Sequence, residues 1–160
     1  MRFFKSFKYA FRGIVYCINN ERNMRIHTVA ALYVFVFSFF FEMSRTSYAA
    51  VFIVIAIVLT SELFNTVAEE LCDMAAASFH PVVRIIKDMA AGAVLISAVF
   101  AAIVGICVFW QPAAFAKIIQ YFFANPLMLF LFAAVTAMSI VYIVLGPIGF
   151  RDYIRKKRDK

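Results

Sequence analysis

Two glutamates seven residues apart, Glu62 and Glu69, stand with Asn65, Thr66 and Asp73 in the stretch "SELFNTVAEELCD" at 61–73. On a helix turning about 100° per residue, with Glu62 as origin, Asn65 falls near −60°, Glu69 near −20°, Asp73 near +20° and Thr66 near +40°. These polar groups form one stripe, while Glu70 falls to its side, where a solvated role is expected. The stripe continues directly from "YAAVFIVIAIVLT" at 48–60, which reads as a membrane span. A carboxylate in or beside hydrocarbon costs several kcal/mol unless it is paired, hydrated or bound to a cation. If hydrocarbon begins near Tyr48, about 20 residues carry the helix to Val67. Glu62 then lies roughly 8 Å inside the boundary, Glu69 at it and Asp73 beyond it. Hydrogen bonding to neighbouring helices is one role for such groups. The other is an active site joining a lipid-soluble to a water-soluble substrate, in which shallow acids hold a cation and the deep one takes a proton.

Cations follow. "SFHPVVRIIKDMAAG" at 78–92 brings His80, Arg84, Lys87 and Asp88 to the entrance of the next apolar run. His80 reads first as a capping or interfacial residue and second as a ligand. Lys87 beside Asp88 is either an ordinary snorkelling pair or, opposite an acidic stripe able to hold Mg²⁺, the charge that neutralises a phosphate.

The elements that must position these groups are helices in a membrane. Hydrophobic residues make up 65% of the 160, well above the half expected of a soluble domain, and the excess has to face lipid. Apolar runs occupy about 26–41, 48–67, 89–110 and 126–146. The last three meet the roughly 20 residues a span needs, and the first, bounded by charge at both ends, spans with its flanks in the headgroups. Six basic residues precede the first run, two (Arg84, Lys87) lie between the second and third, and six fill the tail "RDYIRKKRDK"; the alternate loops hold only Arg45 and Lys117. That asymmetry predicts both termini on the cytoplasmic side. The basic clusters, which give a net charge of +7, are read as topology signals and anionic-lipid contacts rather than nucleic-acid sites.

The N-terminus lacks the apolar core and cleavage site of a signal peptide. Phe4, Phe7, Phe11, Ile14 and Ile18 recur at helical spacing while Arg2, Lys5, Lys8 and Arg12 project elsewhere, the pattern of an amphipathic helix in the interface. Residues 111–125 read as a short interfacial connection bounded by Pro112 and Pro126. Ala93, Ser97, Ala101 and Gly105 form a small-residue groove suited to close helix approach. Cys17, Cys72 and Cys107 have no metal-ligand spacing and are expected to pack as reduced apolar side chains. The fold expected is an all-α membrane protein with an N-terminal interfacial helix, a three-span core over 1–110, and a fourth span with a basic tail over 111–160.

"SFKYAFRGI" at 6–14, "NERNMRIH" at 20–27, "ELFNTVAEELCD" at 62–73 and "FHPVVRIIKDMAAGAVL" at 79–95 together resemble the integral-membrane family of prokaryotic diacylglycerol and undecaprenol kinases. The pattern E-x-x-N-[TS]-x-x-E-x-x-x-D followed by H and KD is highly specific for it. Neither G-x-x-x-x-G-K-[ST] nor G-x-G-x-x-G occurs, so a soluble-type kinase has no support. The resemblance implies ATP- and Mg²⁺-dependent phosphorylation of a lipid alcohol by a homotrimer in the bacterial cytoplasmic membrane, with active sites at the cytoplasmic interface. It makes Glu62 the catalytic base against the lipid substrate and makes Glu21 and Glu69 the metal ligands. Tyr9, Asn65, Ser78, Phe79, His80, Lys87 and Asp88, with the two metal glutamates, become the nucleotide site; Arg2 is a weaker match. The wording at 20–27 and 79–95 is closer to the undecaprenol branch, with diacylglycerol as the alternative acceptor. The usual chain of this kind ends near residue 110. Since every matched group lies at or before Asp88, the segment beyond 111 is expected to be dispensable for chemistry. A small ion or proton transporter using the acidic stripe is the rival from another class, but the outer half of that span is nearly bare of polar groups.

Overall fold

The computed structural model describes residues 2–75 and 81–158, all-helical apart from short junctions. The order is α1 (Arg2–Asn20), α2 (Arg22–Ser38), α3 (Arg45–Ala75), α4 (Pro81–Phe109), α5 (Pro112–Ala124) and α6 (Pro126–Arg158). Local chemistry sets the boundaries. Pro81, Pro112 and Pro126 each open a helix, where the missing N–H is one of the unpaired first-turn donors anyway. Ser44 caps α3 by accepting the Ser47 N–H at 3.0 Å. α1 and α2 are separated by Glu21 alone, within the asparagine-rich run "NNERN" whose residues compete locally with helical hydrogen bonds.

Three helices are long and apolar enough to cross a membrane: Arg45–Ala75, Pro81–Phe109 and Pro126–Pro147. With 17 residues, about 26 Å, α2 stands at the lower limit for spanning. The 31 residues of α3 reach about 46 Å, so roughly 16 Å extends past a 30 Å hydrocarbon slab. The interfacial connection expected over 111–125 is largely a helix of its own, α5.

The chain forms two compact units. One comprises 1–29 and 122–160, in which α1 meets α6. The other comprises 30–121, and its backbone is the close α3–α4 hairpin. Phe35 of α2 meets Phe52 of α3, with ring centroids 6.2 Å apart. At the far end of this unit Phe41 packs edge-on against Phe109 and Phe115. The Gln111 amide closes that end, accepting the Glu42 N–H and donating to the Glu42 carbonyl. Lys117 adds an ion pair with Glu42 at 3.5 Å, exposed and worth little. Most large apolar side chains of α3, α4 and α6 are exposed on the single chain, as spans that face lipid or other subunits require.

Candidate active site

The stripe expected on α3 is present, and burial is graded along it. Glu62 is 0% exposed, Asn65 and Thr66 are 4% exposed, Glu69 is half-buried and the Asp73 carboxylate is open to solvent. Helical spacing explains the alignment: offsets of three, seven and eleven residues return to nearly the same azimuth. The Thr66 hydroxyl donates to the Glu62 backbone carbonyl at 3.0 Å, which leaves the Glu62 carboxylate outside that bond. Asn65 Nδ2 donates to Glu69 Oε1 at 2.9 Å, fixing the shallow carboxylate from one turn below. Asn65 Oδ1 is buried and has no hydrogen-bond partner among the described residues. Glu70 is exposed, to the side.

α4 contributes the cation. Lys87 Nζ makes a short ion pair with Asp73 Oδ1, placing its charge at the shallow end of the stripe. Cys72, buried on the same side of α3, directs its thiol to the Val83 carbonyl at 3.9 Å and sets the hairpin register there. Asp88 lies one residue on and faces Arg84 at 3.9 Å, both exposed. Lys87 and Asp88 are therefore not partners of each other. The lysine turns to α3 and the aspartate to its own helix.

Tyr9 and Glu21 belong to the other compact unit. Tyr9 is exposed on α1 with the Arg12 guanidinium 5.4 Å from its ring centroid, a cation–π contact. Glu21 occupies the elbow between α1 and α2, its N–H bonded to the Cys17 carbonyl at 2.7 Å. Ser78, Phe79 and His80 lie outside the described residues.

The family-implied Mg²⁺ needs hard oxygen donors, and the stripe offers the half-buried Glu69 carboxylate beside the orphaned Asn65 Oδ1. No group of three or more His, Cys, Asp or Glu side chains that could hold a metal occurs among the described residues. The Glu69 carboxylate and Asn65 Oδ1 are oxygen donors of the kind Mg²⁺ takes beside substrate phosphates and water.

An apolar groove of about 410 Å³ lies between α3 and α4, lined by Val54, Ile57, Ser61, Ala93, Ser97 and Phe100 among others. Ser61 of its lining precedes Glu62 in the chain, and Glu62 itself is not part of the lining. The small-residue stripe contributes Ala93 and Ser97 to it, while a methyl added at Gly105 would meet nothing within 4 Å, so no helix of the described chain approaches closely there.

Among the described residues, two buried polar ones are not singled out by the sequence pattern: Ser38, 2% exposed, and Arg25, 7% exposed. Arg25 reads with the other N-terminal basic residues as a topology signal and anionic-lipid contact. The signal that could have found it is distant: a Gly-Pro pair, Gly146–Pro147, inside an otherwise apolar span.

The sequence model described as prokaryotic diacylglycerol kinase matches residues 8–109. An undecaprenol kinase of Bacillus subtilis (strain 168) is 39% identical over 108 residues, covering 68% of this chain and 88% of that protein. A diacylglycerol kinase of Synechocystis sp. is 36% identical over 108 residues, covering 67% of this chain and 62% of that protein.

Proposed function

The chain belongs to the prokaryotic diacylglycerol kinase family, and on that premise we propose that it phosphorylates undecaprenol with ATP and Mg²⁺, giving undecaprenyl phosphate. It is a membrane lipid kinase, a phosphotransferase to an alcohol acceptor. The observation that carries the acceptor side is a wholly buried carboxylate, Glu62, at the deep end of a stripe that emerges into solvent, on the helix whose Ser61 lines an apolar groove. Diacylglycerol is the alternative acceptor, supported by the Synechocystis relative.

An alcohol is a poor nucleophile until a base takes its proton. Glu62 accepts the hydroxyl proton of the lipid as its oxygen attacks the γ-phosphorus. The new O–P bond forms while the bond to the β-phosphate oxygen breaks, and ADP leaves with that electron pair. Asn65 and its hydrogen bond aim Glu69 toward the nucleotide phosphates. Glu69 and Glu21 would hold Mg²⁺, which when bound neutralises charge on the β- and γ-phosphates. Lys87 adds a positive charge on the transferred group, exchanging its Asp73 partner for phosphate oxygen. Tyr9, Asp88 and the 78–80 segment complete the nucleotide site.

The family match ends at Phe109, and the proposed kinase core is 1–110. We further assign α2 as a short span, which makes four and puts both termini and the active site on the cytoplasmic side of a bacterial cell membrane, a reading supported by the Lys/Arg distribution. The working unit is a homotrimer, consistent with the extensive apolar surface that a single chain leaves uncovered.

The deciding experiment incubates purified protein with γ-labelled ATP, Mg²⁺ and, separately, undecaprenol, diacylglycerol and ceramide. Labelled undecaprenyl phosphate as the fastest product is expected. No labelled lipid with any acceptor would refute the reading.

A further inference from the structure

Pro147 interrupts α6, and Gly146 before it adopts a left-handed backbone with φ 66°. Proline has no N–H, so the carbonyl four residues earlier, at Ile143, loses its helical donor. That carbonyl is not left bare. Arg25 Nε donates to it at 3.1 Å, across 118 residues of sequence. The same guanidinium uses Nη1 to donate to the carbonyls of Ile18 at 3.1 Å and Asn19 at 3.0 Å, the last turn of α1. One buried cation thus caps two helix C-termini, where the backbone dipoles favour positive charge.

The fit is tight. A methyl group at Gly146 would stand 3.0 Å from Arg25 Nη1 and 3.1 Å from its Cζ, and φ 66° is strained for any residue with a Cβ. Glycine is therefore favoured twice over, by its backbone and by the close guanidinium, which a Cβ would push aside by a few tenths of an ångström. A planar fork reaching three carbonyls is arginine chemistry; a lysine ammonium cannot span them in one plane. Among the described residues Arg25 makes no salt bridge, so carbonyl oxygens alone compensate its buried charge.

Between the capped end of α1 and Arg25 lies Glu21. Its N–H and carbonyl take part in the elbow's own bonds, to the Cys17 carbonyl and from the Arg25 N–H. We infer that Arg25, Gly146 and Pro147 form a latch that fastens the α1–α2 elbow to the fourth span and so positions Glu21; Arg25 is a positioning residue. The inference rests on Glu21 being a metal ligand, as proposed above. It also gives the fourth span an indirect task in the reaction, contrary to the expectation that the segment beyond 111 is dispensable for chemistry.

The test uses the full chain in lipid–detergent micelles, with spin labels at Asn20 and Val144 in a Cys107→Ser background, and the variants Arg25→Gln, Arg25→Lys and Gly146→Ala. Only protein eluting as a single folded species is compared. Arg25→Gln and Gly146→Ala are expected to broaden the label–label distance and to raise the Mg²⁺ concentration for half-maximal kinase rate by roughly 2- to 30-fold, the span of coupling carried through packed contacts. Arg25→Lys should fall between them and wild type. Gly146→Ala is the sharper probe because it lies outside the family match and leaves every proposed site residue in place. Distances unchanged in both variants would overturn the latch. Broadened distances with unchanged Mg²⁺ dependence would overturn the positioning role. Glu21→Gln, run alongside, separates that failure from failure of the metal assignment: it raises the Mg²⁺ requirement only if Glu21 is a ligand.

Discussion

Replacing Glu62 by glutamine keeps the shape of a side chain that is 0% exposed and removes only its capacity to take a proton. The neighbouring hydrogen bond is indifferent to the change, because the Thr66 hydroxyl bonds the Glu62 backbone carbonyl and not its side chain. Loss of a positioned general base costs about 10²–10⁴ in rate, or about 2.7–5.4 kcal/mol of barrier at 1.36 kcal/mol per decade. Stability should move the other way or not at all. An uncharged amide escapes the desolvation penalty of a buried carboxylate, which is several kcal/mol per ion before compensation. The assay is single-turnover transfer from γ-labelled ATP to undecaprenol, beside nucleotide binding and a thermal melt. Nucleotide affinity and Tm should hold. Near-normal turnover, or a lost rate that simply tracks a lowered Tm, would refute the assignment and leave Glu62 a structural residue.

Glu21→Gln and Glu69→Gln should each raise the Mg²⁺ concentration for half-maximal rate; if they share one ion, the double variant should cost less than the sum of the singles. Mg²⁺ titrations of the kinase rate check both. Lys87→Ala removes a charge-assisted contact to phosphate and should raise the KM for ATP about 10- to 100-fold, while the Mg²⁺ dependence changes less; an unchanged KM would confine Lys87 to its Asp73 ion pair. In one detergent, undecaprenol should give a higher kcat/KM than diacylglycerol, and a clear reversal would change the acceptor without touching the mechanism.

The acidic stripe was legible from sequence because it is a property of one helix: spacing alone sets azimuth, so Glu62, Asn65 and Glu69 had to share a face once 45–75 was helical. The all-helical membrane class was legible for a similar reason, since runs of apolar residues this long have few other stable forms. Pairing between helices was not. "KD" at 87–88 suggests a local pair, yet Lys87 turns to Asp73 and Asp88 to Arg84, because the facing helix decides which side chain meets an opposite charge. The basic N-terminal segment likewise reads as one class of residue. Nothing in its spacing separates Arg25 from Arg22, yet Arg25 is buried against the backbone of a helix 118 residues away. Sequence marks Pro147 as a donor lost and Arg25 as donors available. Only the fold brings them together, because a hydrogen bond depends on where two groups end up in space and not on how far apart they lie along the chain.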